Sequence, residues 1–380
     1  MKILFTCNEY PPYSYGGQGI FIKEISRNLA DRNHTVVVYG VYSGITTRQI
    51  ENTGGVIIIR DPMTFPDTSI LKMFKNRMKY GGEISSIVKE YNIDVIEAHD
   101  TGGWFAFINC RKPLFVRLHN GERYFRKRGF NTVFFERLSF AYKRVTIIAV
   151  SRFILKEFNS FFRLKNPFNS YALIYNGITA NKINITDKQN TKSIIYAGTL
   201  KPIKGVDILI KAFILSNLHK QGYSLNILGK DTITSAKEFY REYLLKTIDG
   251  LSEMLLDKHI VFEGQVSKEI LLQKYAQSEI CVFPSRFESF GLAVVEAMSM
   301  GALVIYSDQG AATELIDNGN DGFLVEVDNY PKWSQTMIEV LSLPDEEKER
   351  IKENAVKKAA KFSIERCAEE TLCLFKSKLQ

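Results

Sequence analysis

The sequence predicts an α/β protein of two doubly wound domains, each a parallel sheet covered by helices. Three observations predict it. Short β-branched apolar runs alternate with amphipathic helical stretches along the whole chain; the alternation stops once, at a polar stretch (residues 180–191, ANKINITDKQNT) without apolar period; and 380 residues exceed what one core usually serves.

The elements follow in order. Residues 2–7 read as the first strand, ahead of a Pro/Tyr/Gly loop, and residues 20–31 as a helix with Ile22, Ile25 and Leu29 on one face. Strands are expected at 35–39, 55–60, 94–98, 114–118, 146–150 and 171–174, with helices in the gaps, one of them at 131–143. The alternation then restarts with strand 193–197, helix 205–215, strand 224–228, helix 235–248 and strand 260–263. Helix 268–277, strand 280–283, helix 291–300, strand 303–306 and helix 311–317 complete it. The expected domains are 1–185 and 190–363. Ligands of such sheets bind beyond the carboxyl ends of the strands, so the two domains are expected to face one cleft.

Composition narrows the function classes. A hydrophobic fraction of 45% and a charged fraction of 24% are those of a folded globular protein. No apolar run reaches the roughly 18 to 20 residues of a membrane span. The opening MKILFTCNEYPP reads as a strand and not as a signal peptide. The five cysteines (Cys7, Cys110, Cys281, Cys367, Cys373) form no CxxC pair, which argues against a zinc site or disulfide framework and fits a cytoplasmic protein. The net charge of +8 is unevenly held: residues 1–190 carry 27 basic and 15 acidic side chains, and residues 111–165 alone carry 14 and 3. That is either a solvated face or an anion-seeking one.

The richest segment is 283–303, FPSRFESFGLAVVEAMSMGAL, where a strand ends, a loop follows and a helix begins near Phe290, Gly291 and Leu292. A helix start offers unpaired N–H groups to a phosphate. Glu288 precedes that helix and Glu296 lies inside it; either carboxylate can take paired sugar hydroxyls, or simply cap and solvate the helix. Glu288-Ser-Phe-Gly-Leu-Ala-Val-Val-Glu296 resembles the E-x7-E signature of the family 4 retaining glycosyltransferases of GT-B fold. The flanking PS and EAMxxG, YAGTLKPIKG at 196–205, VFEGQV at 261–266, GAATEL at 310–315 and NGNDGFLV at 318–325 extend the resemblance.

The resemblance implies two Rossmann-like domains around a central cleft: an acceptor domain completed by a C-terminal helix at 364–380, and a nucleotide-sugar domain. It implies that Lys204 meets the donor diphosphate, with Gly17, Thr199, Val266, Phe290, Gly291, Leu292 and Glu296 also on the donor. His119 and Glu288 join Lys204 at the reacting centre, and Glu97, His99 and Asp100 line the acceptor side. Thr199 stands where the family commonly has an arginine, a departure that Thr199 or Lys201 must make good. The sequence contains no D-x-D, so no metal or other cofactor is expected and protein cations face the diphosphate.

The implied reaction is retaining transfer of a hexose or N-acetylhexosamine, first choice UDP-linked, to a glycan or lipid-linked acceptor in surface polysaccharide synthesis. The basic, aromatic stretch around Arg126, Lys127 and Arg128 is expected to face an anionic inner membrane surface, though its phenylalanines could equally be core. No nucleic-acid partner is expected. The competing readings are a nucleotide-sugar epimerase of similar fold and a non-catalytic basic protein that binds membrane or nucleic acid.

Overall fold

The structure is a computed structural model of the chain and describes residues 1–13, 16–65, 69–119, 130–142, 145–162, 170–179, 192–234, 237–248, 255–256 and 258–379. The polar stretch 180–191 and the basic residues Arg126, Lys127 and Arg128 lie outside the described residues. The chain divides into two units, Met1–Thr179 with Ser363–Gln380, and Ala180–Phe362.

The first unit runs β1 (Lys2–Thr6), α1 (Gly17–Asp31), β2 (Thr35–Tyr42), β3 (Gln49–Thr53), β4 (Val56–Pro62), α2 (Ile70–Glu90), β5 (Val95–His99), β6 (Leu114–Leu118), α3 (Phe130–Tyr142), β7 (Thr146–Ala149), α4 (Arg152–Phe162) and β8 (Ser170–Leu173). Its sheet order is β3-β4-β2-β1-β5-β6-β7-β8. All pairings are parallel except β3–β4, an edge hairpin that departs from the purely parallel expectation. β3, QIENT, is exposed at every residue, so it carries no buried-strand signal.

The second unit runs β9 (Ser193–Ala197), α5 (Val206–Ser216), β10 (Ser224–Leu228), α6 (Tyr240–Thr247), β11 (Ile260–Gly264), α7 (Lys268–Gln277), β12 (Ile280–Phe283), α8 (Leu292–Ser299), β13 (Val304–Ser307), α9 (Ala312–Leu315), β14 (Phe323–Val325), α10 (Tyr330–Leu341) and α11 (Asp345–Ala359). Its six strands are ordered β11-β10-β9-β12-β13-β14, the order of a dinucleotide-binding sheet. The core is the inner face of α5 and α10 against that sheet, with Ile208, Leu209, Phe213, Trp333 and Met337 buried over Ile194, Ile227 and Val282.

The last helix, α12 (Ile364–Lys376), belongs to the first unit. Ser363 caps it, its hydroxyl accepting from the Arg366 N–H at 3.2 Å. Its buried stripe Ile364, Cys367, Ala368, Thr371, Leu372 and Phe375 follows helical period, and Phe375 meets Phe115 of β6 with ring centroids 4.5 Å apart.

Candidate functional site

Strand order reverses direction at β1/β5 in the first unit and at β9/β12 in the second, and the loops leaving those strands diverge to leave a crevice. In the second unit this topology joins two segments far apart in sequence. The loop after β9 carries Thr199 to Lys204, the loop after β12 carries Pro284 to Phe290, and the Lys204 ammonium pairs with the Glu288 carboxylate. Two glycines fix that approach. Gly205 sits at φ 70° with space for no side chain, because a Cβ there would lie 1.9 Å from the Pro284 carbonyl oxygen. Gly310, also at φ 70°, backs the Glu288 peptide, 2.2 Å from its oxygen to the place of a Cβ.

The helices that leave these loops begin bare. Gly205 caps α5 and Gly291 caps α8 without any side-chain bond to the first turn, whereas Ser69, Ser267, Asn329 and Ser363 cap α2, α7, α10 and α12 with their side chains. α1, after β1, likewise starts at a glycine, Gly16, with Gly17 exposed next to it. The starts of α5 and α8 keep N–H donors and a partial positive charge available to an anion. One turn and more inside α8, Glu296 is buried and pairs with the Lys268 ammonium. Beneath the loops, burial and then the Glu288 charge push the Tyr196 and Tyr306 hydroxyls well up, so both are neutral. Phe290 is buried against Phe362, and Leu292 is half-buried.

A pocket of about 290 Å³ opens at the ends of β10 and β11, lined by Leu200 of the β9 loop, Gly229, Lys230, Arg241, Phe262 and Gln265. Val266 follows it, half-buried. The site is therefore a crevice with ammonium groups, paired carboxylates and two open helix ends, able to hold an anion joined to a polyhydroxylated group.

Residues 15–182 match the family described as Glycosyltransferase Family 4, and residues 178–358 the one described as Glycosyl transferases group 1. The chain belongs to the family 4 glycosyltransferases. An uncharacterized glycosyltransferase of Methanocaldococcus jannaschii is 29% identical over 99% of this chain and 98% of its own. The lipopolysaccharide 1,2-N-acetylglucosaminetransferase of Salmonella typhimurium is 26% identical over 55% of this chain and 56% of its own. Among solved structures, HepE of Anabaena in complex with UDP and glucose matches at TM-score 0.76 and 20% identity, over 99% of this chain and 100% of that one. The fold is GT-B.

Two residues of this glycosyltransferase escape sequence reasoning. Lys268, at the first turn of α7, holds Glu296. A lysine at a helix start opposes the helix dipole, and that mismatch is the signal that could have found it. Arg286 sets the loop: its N–H donates to the Ile203 carbonyl at 2.8 Å and its guanidinium grips both Asp207 oxygens at 2.8 and 2.7 Å and Asp328 at 2.7 Å. The hydrogen bonds it donates to Asp207 raise its pKa above the usual arginine value. Thr199 is half-buried, with its carbonyl 3.5 Å from the Tyr196 hydroxyl.

In the first unit, His119 follows β6 and its ring lies 5.0 Å from that of Phe21. Its Nε2 is sealed from solvent and has no hydrogen-bond partner among the described residues. Burial, then the Arg117 charge and His99, hold its pKa well below the usual histidine value, so the ring is neutral at pH 7. Within the acceptor-side expectation, the packing speaks against Glu97. The Glu97 carboxylate is buried and takes two bonds from the Arg117 guanidinium, at 2.8 and 3.1 Å, on the face covered by α12, whose Thr371 accepts from the same guanidinium at 2.9 Å. Glu97 is an internal ion pair, not an acceptor contact. His99 is buried with both ring nitrogens engaged. Asn8 Oδ1 accepts from the Val41 N–H at 3.0 Å, which turns its amide nitrogen toward His99 Nε2 at 3.3 Å. The proton therefore sits on Nδ1, 2.9 Å from the Thr6 hydroxyl. Asp100 is fully buried.

Among the described residues no three His, Cys, Asp or Glu side chains converge as metal ligands do, and no helix is long and apolar enough to cross a membrane.

Proposed function

We propose that this glycosyltransferase moves a hexose or N-acetylhexosamine from a uridine-diphosphate sugar, with retained anomeric configuration, to a glycan or lipid-linked acceptor of surface polysaccharide. The observation that carries the reading is the Lys204–Glu288 pair between the loops after β9 and β12, each of which leads into a helix that starts at a glycine, with the Lys268–Glu296 pair inside the second of those helices. The leaving nucleoside diphosphate gains negative charge in the transition state, and a fixed ammonium with open N–H groups stabilises that gain without a metal. Glu296 takes the ribose hydroxyls and Glu288 the transferred sugar. Lys268 holds the Glu296 carboxylate in place until the donor replaces it, and supplies a second ammonium where Thr199 supplies none. The pocket beside Val266 takes the base. Gly17 and neutral His119 are assigned to the donor phosphate and sugar, and the first unit to the acceptor.

Uridine and glucose-type donors are supported by HepE, solved with UDP and glucose, and a surface-glycan acceptor by the lipopolysaccharide transferase relative. A lipid-linked acceptor places the enzyme on the cytoplasmic face of the membrane as a peripheral protein. Incubating the protein with UDP-, GDP- and ADP-sugars and measuring nucleoside diphosphate release tests the donor. Release from a UDP-hexose or UDP-N-acetylhexosamine well above the other nucleotides is expected. Release only from a guanosine or adenosine sugar overturns the uridine assignment, and no release or binding with any donor overturns the site.

A further inference from the structure

Helix α2 carries two apolar stripes, where one would suffice for its place on the sheet. Met73, Tyr80, Ile84 and Ile87 face inward and are buried. On the opposite side Leu71 is 72% exposed, Phe74 41% and Met78 52%, at positions i, i+3 and i+7 of one outward row, with Ile70 beside them. A chain of ring contacts links this row, through the buried Phe135, to a further exposed ring on α3. Phe74 meets the half-buried Phe107 edge-on at 4.9 Å, Phe107 lies 6.4 Å from Phe135, and Phe135 adjoins Phe134 of α3, again exposed. Each apolar residue of the row is followed by an exposed lysine: Leu71-Lys72, Phe74-Lys75 and Met78-Lys79. Arg137 stands exposed on α3, and α2 has no acidic residue before Glu83, which is bound to Arg48.

We infer that the amino-terminal half of α2, together with Phe134, is a docking face for an anionic lipid bilayer. The charge pattern selects lipid over protein. The cores of protein interfaces are depleted of lysine, and a second copy of this face would set lysine row against lysine row. At a bilayer the same lysines lay their aliphatic stems along the apolar row and lift their ammonium groups to the phosphates, while Leu71, Phe74 and Met78 enter the headgroup boundary. The inference deepens the lipid-linked-acceptor reading, on which it rests for its biological sense, but it needs nothing of the donor chemistry.

The test is sedimentation of the full chain with vesicles of phosphatidylcholine alone and of phosphatidylcholine mixed with phosphatidylglycerol. The wild type is expected in the pellet with the mixed vesicles and to be released by salt. Leu71→Ser with Phe74→Ser, and separately Lys72→Glu with Lys75→Glu, each lower partition about tenfold or more. Nucleotide-sugar binding by calorimetry stays at the wild-type value in both, and so does the melting temperature of the lysine pair; loss of the Phe74–Phe107 ring contact lowers that of the serine pair slightly. Leu71→Ser alone, at the most exposed position, gives a smaller loss in the same direction. A wild type that remains in the supernatant with both vesicles overturns the inference. So do variants that pellet as the wild type does, or variants that only convert an oligomer to a monomer. Donor binding, measured separately, reports on the proposed catalytic site and is untouched by any of these results.

Discussion

The two sheets reverse their strand order in the same way, each beside its first strand, but treat the polar groups at their switch points in opposite ways. In the second unit the charged pairs Lys204–Glu288 and Lys268–Glu296 stay partly open to solvent, between side-chain exposures of 12% and 42%. In the first unit the charged pair near the switch point, Arg117–Glu97, is sealed at 1% on each side, and His99 and Asp100 are buried with it. The open pairs can exchange one partner for a ligand at modest cost, because water already screens them. The sealed pair cannot, because either charge left alone would be stranded in a low dielectric. The lesson is that strand-end position marks a polar group's neighbourhood, and burial decides whether it meets a ligand or holds the fold.

The comparison breaks most visibly at the sealed pair. Arg117→Met leaves the Glu97 carboxylate uncompensated and is expected to lower unfolding free energy by about 3–5 kcal/mol, read from a denaturant midpoint. Burial is the largest single influence and alone would lower the Arg117 pKa, but the Glu97 charge and hydrogen bonds, with those of Cys367, together raise it. Stability equal to the wild type would show the pair to be no more structural than the open ones.

Next in size is the open side. Lys204→Ala and Glu296→Ala are expected to cut turnover by ~10² or more, the scale of one transition-state contact, with melting temperatures near the wild type. A large loss of stability instead of turnover would erase the contrast between the units.

The smallest effect sharpens the role of His119. Its folded pKa lies below the unfolded value of about 6.5, so the unfolded chain takes up the proton first as pH falls. Stability is then full above about pH 6.5 and declines below it, by at most about 1.4 kcal/mol per pH unit for this group, until the folded ring itself protonates. His119→Asn is expected to flatten that acid limb in thermal melts taken from about pH 7 to pH 5. A slope left remains from His34 and His219, whose pKa values burial also lowers. An unchanged slope would mean that His119 is not held neutral by its surroundings.

Much of this was legible in the sequence, and for a physical reason in each case. The strands 114–118, 193–197, 224–228 and 280–283 appear where their apolar runs stand, because a run buried on both faces has no other place to go. Glu288 and Glu296 were legible because one strand-loop-helix carries both. Lys268 was not, since its partner lies 28 positions on and only the packing of α7 beside α8 brings them together. Glu97 was misread for a related reason. All five residues of β5 are buried, so the period-two alternation that would tell ligand face from helix face is absent. The second apolar row of α2 was hidden because the sequence assigned that segment only to a gap between strands.

The route of the chain has a consequence for its biogenesis. It leaves the first unit at Thr179 and re-enters at Ser363, so the whole second unit is an insertion within the first. α12 supplies Phe375 to cover Phe115 and Thr371 to bind Arg117, which leaves the amino-terminal sheet without its last layer until that helix emerges from the ribosome. The inserted half can close first, in the order opposite to that of synthesis, while the earlier-made half waits with an apolar face and a guanidinium uncovered. That interval is when a nascent chain of this enzyme has the greatest need of a chaperone.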